Sequence, residues 1–196
     1  MRTRRRESVE LPSLEQIEEE RKRLRYRSRY RRTLKSTIAI LVVVAAAAVL
    51  VATLWMPVLR IYGSSMVPTL KDGQIVVSVK TTDFQPGDIA AFYHGNKLLI
   101  KRYIAGPSEW VNIDEDGTVY INGVELDEPY LTEKAFGETN IDLPYQVPDK
   151  RYFLMGDNRD VSIDSRNTAV GCVAADQIVG KVVFRIWPLS EFGPVS

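Results

Sequence analysis

Three places in the chain combine side chains that could carry covalent chemistry. The first is Gly63-Ser64-Ser65-Met66-Val67-Pro68-Thr69-Leu70, where two hydroxyls follow a glycine and a proline soon ends any regular element. Such a turn can present a nucleophilic serine, and it also fits a plain turn whose hydroxyls are satisfied locally. The second is Lys101, inside Leu98-Leu99-Ile100-Lys101-Arg102-Tyr103-Ile104. Strand alternation puts it on one face with Leu99 and Tyr103, opposite Ile100, Arg102 and Ile104. A charge in that company is costly unless the amine is neutral or the strand is an edge in solvent. Arg102, by contrast, is expected to snorkel to water.

Serine-lysine pairs are a variant of the serine-hydrolase plan. A free lysine has a pKa of ~10.4, so holding it neutral near pH 7.5 costs about 4 kcal/mol. Burial lowers the value by ~3–5 units, enough to let the amine take a proton from Ser65 as general base. The chain has one histidine, His94, in a Gly-Asn turn and expected to be exposed, so Lys101 is the better base. The third place is the loop Met155-Gly156-Asp157-Asn158-Arg159-Asp160-Val161-Ser162-Ile163-Asp164-Ser165-Arg166. Its alternating oxygens imitate a calcium loop, but the glycine at the sixth position and the closing glutamate are missing. Arg159 and Arg166 are expected to neutralise its acids, giving a self-satisfied polar loop with no metal and no cofactor.

These residues need elements to hold them. From Ser36 to Leu59 no residue is charged, and as a helix this run would be about 36 Å long, enough for a ~30 Å hydrocarbon core. Residues 1–35 carry 13 Lys and Arg against 6 Glu, whereas 36–196 carry 13 against 19 acids. That split points to two environments rather than to nucleic acid, and the basic flank Arg21–Arg32 beside an apolar span has anionic lipid as its nearer partner. By the positive-inside rule the tail, 1–35, is cytoplasmic, 36–59 is a single anchor, and 60–196 lies outside the plasma membrane. Residues 1–20 read as a solvated helix or a disordered tail. Cys172 stands alone, so no internal disulfide forms.

Beyond the anchor the chain reads as strands. They are expected at Gln74–Lys80, Ile89–Tyr93, Leu98–Ile104, Trp110–Ile113, Thr118–Ile121, Arg151–Met155 and Val179–Trp187, the last closing the domain. Asp116-Gly117 and Asn122-Gly123 signal successive hairpins. The fold class is mainly β: one transmembrane helix, then an antiparallel sheet or partial barrel with a small hairpin cap over 105–150.

Taken in order, these segments resemble the type I signal peptidase family, membrane-bound Ser-Lys enzymes that release exported proteins. The resemblance rests on Gly63–Leu70, on Gly87-Asp88-Ile89 followed by Ile100-Lys101-Arg102, on Gly156–Asp160 through Asp164-Ser165-Arg166, and on Gly180-Lys181 through Trp187-Pro188-Leu189. It covers residues 35–192. It implies Ser65 as nucleophile and Lys101 as general base, with Ser162 orienting the amine, Asp164 and Arg166 as a supporting ion pair, and Asp157 nearby. It implies preproteins with signal peptides as partners, cut after small residues at the bilayer near the secretion translocon. The substrate would lie extended beside Ile61-Tyr62 and Leu98–Ile100, Leu99 and Ile100 included, with Met66 and Leu70 lining the first pocket. Two positions depart from the pattern. Gly63 stands where some members have an oxyanion-holding serine, and Val161 where many have asparagine. A soluble self-cleaving protease and a non-catalytic anchored β domain are the rival readings.

Overall fold

A computed structural model describes residues 13–195, so the expectation for the first twelve residues lies outside it. The chain divides into two compact units, 1–50 and 51–196. In the first, residues 14–50 are helical, part of a helix α1, Leu14–Trp55, whose residues are all exposed. The helix stops short of the expected Leu59. Pro57 cannot continue it, and Val58–Arg60 is strand β1 instead.

The second unit is built on an open sheet. Its strands are β1, β2 (Ile75–Val79), β3 (Ile89–His94), β4 (Lys97–Ala105), β9 (Arg151–Met155), β10 (Val173–Ala174), β11 (Ile178–Trp187) and β12 (Gly193–Pro194). The spatial order is β1-β2-β11-β3-β4-β9-β10, with β12 beside β11 and every pairing antiparallel. It is not a closed barrel, since the path ends on β1 and β10. The last long strand, β11, lies inside the sheet, between β2 and β3. His94 is the half-buried last residue of β3, paired with Lys97, rather than an exposed turn residue.

Alternation along β3 explains why this sheet is buried on both faces. Ile89 and Ala91 face a core of Leu59, Ile61, Met66, Leu70, Val76 and Val182, while Ala90 and Phe92 face Phe84, Tyr103, Leu154 and Val173. A smaller sheet, β7-β6-β5-β8, forms the cap from Trp110–Ile113 (β5), Val119–Ile121 (β6), Val124–Glu125 (β7) and Tyr145–Gln146 (β8). Asn122 and Gly123 both have positive φ, 52° and 83°, as a tight hairpin turn requires. Val111, Ile113, Val119 and Val147 of the cap pack on Ile104, Phe153 and Met155 of the main sheet, so one core joins the two.

Candidate active site

Strand β4 carries Lys101 into the interior. Its side chain is 4% exposed, and Nζ donates to Ser162 Oγ at 2.7 Å. Burial lowers the Lys101 pKa to about 8; the Asp164 carboxylate opposes this, the Arg166 guanidinium adds to it, and Asp157 opposes it. Lys101 pairs with Ala90 of β3, whereas β9 joins β4 only from Arg102 onward. The other edge of Lys97–Lys101 therefore has no strand partner among the described residues.

Ser65 sits in a turn anchored on both sides. Gly63, at φ 86°, donates its N–H to Asp72 Oδ1 at 2.8 Å, and Leu70 N donates to Met66 O at 2.8 Å. Met66 and Leu70 are driven into the core, and the Ser65 carbonyl accepts from Asn158 N–H at 3.0 Å. The Ser65 N–H makes no hydrogen bond among the described residues. Ser65 and Lys101 line one cavity of about 530 Å³ with Val58, Ile61, Met66, Leu99 and Ile100. Of the residues expected to touch substrate, Ile61, Met66, Leu99 and Ile100 are on its walls. Leu70 is not: it is fully buried, pointing into the core beneath the turn.

The loop after β9 is held by arginines, in a pattern that differs from expectation. Asp164 takes both arms of Arg166, Nε at 2.9 Å and Nη2 at 2.9 Å, and receives Gly156 N–H at 2.9 Å. Burial alone would raise the Asp164 pKa, but the bonds and charge of Arg166, with Gly156 N–H and Ser162, hold it below its usual value. Arg159 does not neutralise the loop's own acids. It binds Glu128 of the cap, with Nη1 at 3.1 Å and Nη2 on the other carboxylate oxygen, while Nε donates to Gly156 O at 2.9 Å.

Arg102 does not reach water. It is 1% exposed and grips Asp157 with Nε at 2.8 Å and Nη2 at 2.7 Å, while Nη1 donates to Gly87 O. Thr69 Oγ1 donates to the same carboxylate at 2.5 Å. The neighbours Lys101 and Arg102 thus leave opposite faces of β4 and hold two points of one loop, Ser162 and Asp157. Asp157 ties the Ser65 turn to β4 instead of joining the Asp164–Arg166 pair. The site roles of Arg102, Thr69, Glu128 and Tyr130 were not legible in the sequence, although Arg102 and Thr69 lie inside the matching motifs. The only signal was Arg102 itself, a second cation in the same apolar strand.

With this geometry in hand, comparison with known proteins gives the lineage. Residues 33–187 match the family described as signal peptidase, peptidase S26. The chain belongs to that family. Among its relatives, a signal peptidase IB of Staphylococcus aureus is 42% identical over 153 residues, 67% of this chain and 78% of its own length. A signal peptidase I of Bacillus licheniformis is 37% identical over 166 residues, 78% of this chain and 88% of its own. A signal peptidase I crystal structure from Enterococcus faecalis is 31% identical, covers 52% of this chain and 98% of its own, and gives a TM-score of 0.44. As a member of the signal peptidase family the chain is a serine endopeptidase, and the antiparallel sheet with an N-terminal apolar helix is consistent with that membership.

Proposed function

We propose that the chain is a membrane-anchored endopeptidase that removes signal peptides from exported preproteins after small residues, using Ser65 as nucleophile and neutral Lys101 as base. One observation carries this reading: a buried lysine with a pKa of about 8 lines the same groove as a serine in a tightly held turn. Lys101 Nζ takes the Ser65 Oγ proton as Oγ attacks the scissile carbonyl carbon. The ammonium returns that proton to the leaving amine, releasing the mature protein and leaving an acyl-enzyme. Lys101 then takes a proton from a water as its oxygen attacks the ester carbon and returns it to Ser65 Oγ as the acyl bond breaks, freeing the signal peptide.

Ser162 holds Nζ in line. Gly63 offers no hydroxyl, so the developing oxyanion falls to the unoccupied Ser65 N–H, where one lost donor costs ~2.7–4 kcal/mol in other hydrolases. The substrate adds as an extended strand between β1 with Ile61-Tyr62 and the free edge of Lys97–Lys101. The uncharged part of α1, from Ser36 to Trp55, would span about 30 Å, and the basic residues before it support a cytoplasmic tail by the positive-inside rule. Tethering enzyme and substrate to one bilayer, near the translocon, raises their effective concentration.

The test is cleavage of a preprotein by the full chain in lipid vesicles, with the product N-terminus sequenced. Wild type yields one new N-terminus after a small residue and Ser65→Ala yields none. Equal product from both forms would sink the assignment.

A further inference from the structure

Glu128 and Tyr130 lie outside the groove, between the cap strands β7 and β8, yet they close the arginine network around the site loop. Glu128 is buried and is the acceptor for both Arg159 Nη groups; its Oε1 also accepts from Tyr130 Oη at 2.8 Å. The Tyr130 ring covers the Arg102 guanidinium, 3.7 Å from its carbon to the ring centre. One short segment therefore holds two arginines at once. Arg159 fixes the Gly156 carbonyl, and Arg102 fixes Asp157 with Thr69. Gly156 and Asp157 are followed by Asn158, whose N–H carries the Ser65 carbonyl.

The same stretch continues the grip further along. The Phe136 carbonyl accepts from Arg166 Nη1 at 2.9 Å. Gly137, at φ 63°, passes so close that a Cβ there would sit 2.3 Å from the Arg159 carbonyl oxygen. The charges are also matched. Arg102, Arg159 and Arg166 face Asp157, Glu128 and Asp164 one to one, all of them buried. Removing Glu128 leaves Arg159 buried without its anion, and the arginine must move, taking the Gly156 carbonyl with it.

We propose that Glu128 and Tyr130 are positioning residues of the cap, a strap that sets the registry between the Ser65 turn, Lys101 and Ser162. The inference rests on the Ser65-Lys101 reading above. Because neither residue lines the groove, their loss falls on the chemical step rather than on substrate binding. A displacement of about 1 Å at a reacting centre can lower a rate ~100-fold.

The experiment measures kcat and KM on a short signal-peptide substrate with the full chain in detergent micelles, alongside thermal unfolding. Glu128→Gln lowers kcat about 30- to 100-fold with KM within about threefold. Glu128→Asp, which restores the charge, recovers part of the loss. Tyr130→Phe keeps the ring over Arg102, loses only the hydroxyl bond, and lowers kcat by a smaller factor. Full kcat in Glu128→Gln, or a loss carried only by KM, overturns the strap. If Glu128→Gln fails to fold, full kcat in Tyr130→Phe overturns it. Ser65→Ala is run in parallel, and cleavage by that form would instead overturn the nucleophile assignment.

Discussion

Gly156 lies against Ser65 so closely that a Cβ added to it would stand 2.6 Å from the Ser65 carbonyl oxygen. The same Cβ would be 2.2 Å from Ser162 Oγ. One α-carbon thus spaces the turn that bears the proposed nucleophile from the hydroxyl that bonds the proposed base. Gly156→Ala has no room on a side made partly of backbone, so Ser65 and Ser162 must part. We expect kcat to fall about 100-fold while the unfolding transition stays cooperative. A kcat within a few-fold of wild type would show that the spacing is not critical.

As the proposed base, the Lys101 amine is expected to set the pH dependence of cleavage. Lowering its pKa from 10.5 to about 8 raises the neutral fraction at pH 7 roughly 300-fold. A lysine base acts in its deprotonated form, so kcat/KM is expected to climb about tenfold per pH unit below 8 and to level off above it. A profile flat from pH 6 to 9, with chemistry limiting, would argue against a titrating lysine base.

Lys101→Ala removes the proposed base and is expected to abolish cleavage. Ser162→Ala leaves it in place but unheld, losing the 2.7 Å bond, and is expected to retain a measurable fraction of the rate. Parallel progress curves rank the two; a Ser162→Ala enzyme as dead as Lys101→Ala would mean that Ser162 does more than orient.

Among the described residues Asp157 is the one carboxylate paired with the buried Arg102, so Asp157→Ala strands a charge. Loss of one partner of such a pair costs about 3–5 kcal/mol. Urea titration followed by tryptophan fluorescence reads this directly, and a midpoint unchanged from wild type would contradict it.

Asp164 sets an acid limit. Its folded pKa lies below the ordinary 3.8, so its contribution to stability is complete above that value and is lost as pH falls through the folded one. Asp164→Asn should be less stable than wild type at pH 7, with the gap closing only below about pH 4. Denaturation midpoints at pH 3, 4, 5 and 7 provide the comparison.

Much of the local structure was readable from residue order. Trp110–Ile113 and Arg151–Met155 are strands with the expected limits, because β-branched and aromatic residues are bounded there by turn formers. The Asn122-Gly123 turn followed from the same local rules. Lys101 was readable as an anomaly because alternation assigns a face from spacing alone. The place of β11 was not readable: a strand pairs across the sheet with partners about a hundred residues away, and nothing in its own composition names them.

The arginines make the same division at the level of single side chains. Periodicity put Lys101 and Arg102 on opposite faces of β4, and that holds. Which face would be dry, and which carboxylate would answer each guanidinium, depended on residues 55 and 31 positions apart, Arg102 with Asp157 and Arg159 with Glu128. A long cation in an apolar strand is satisfied equally by solvent or by a distant acid. Spacing along the chain cannot choose between them; the packing of the cap and the site loop around β4, which shuts out water, does.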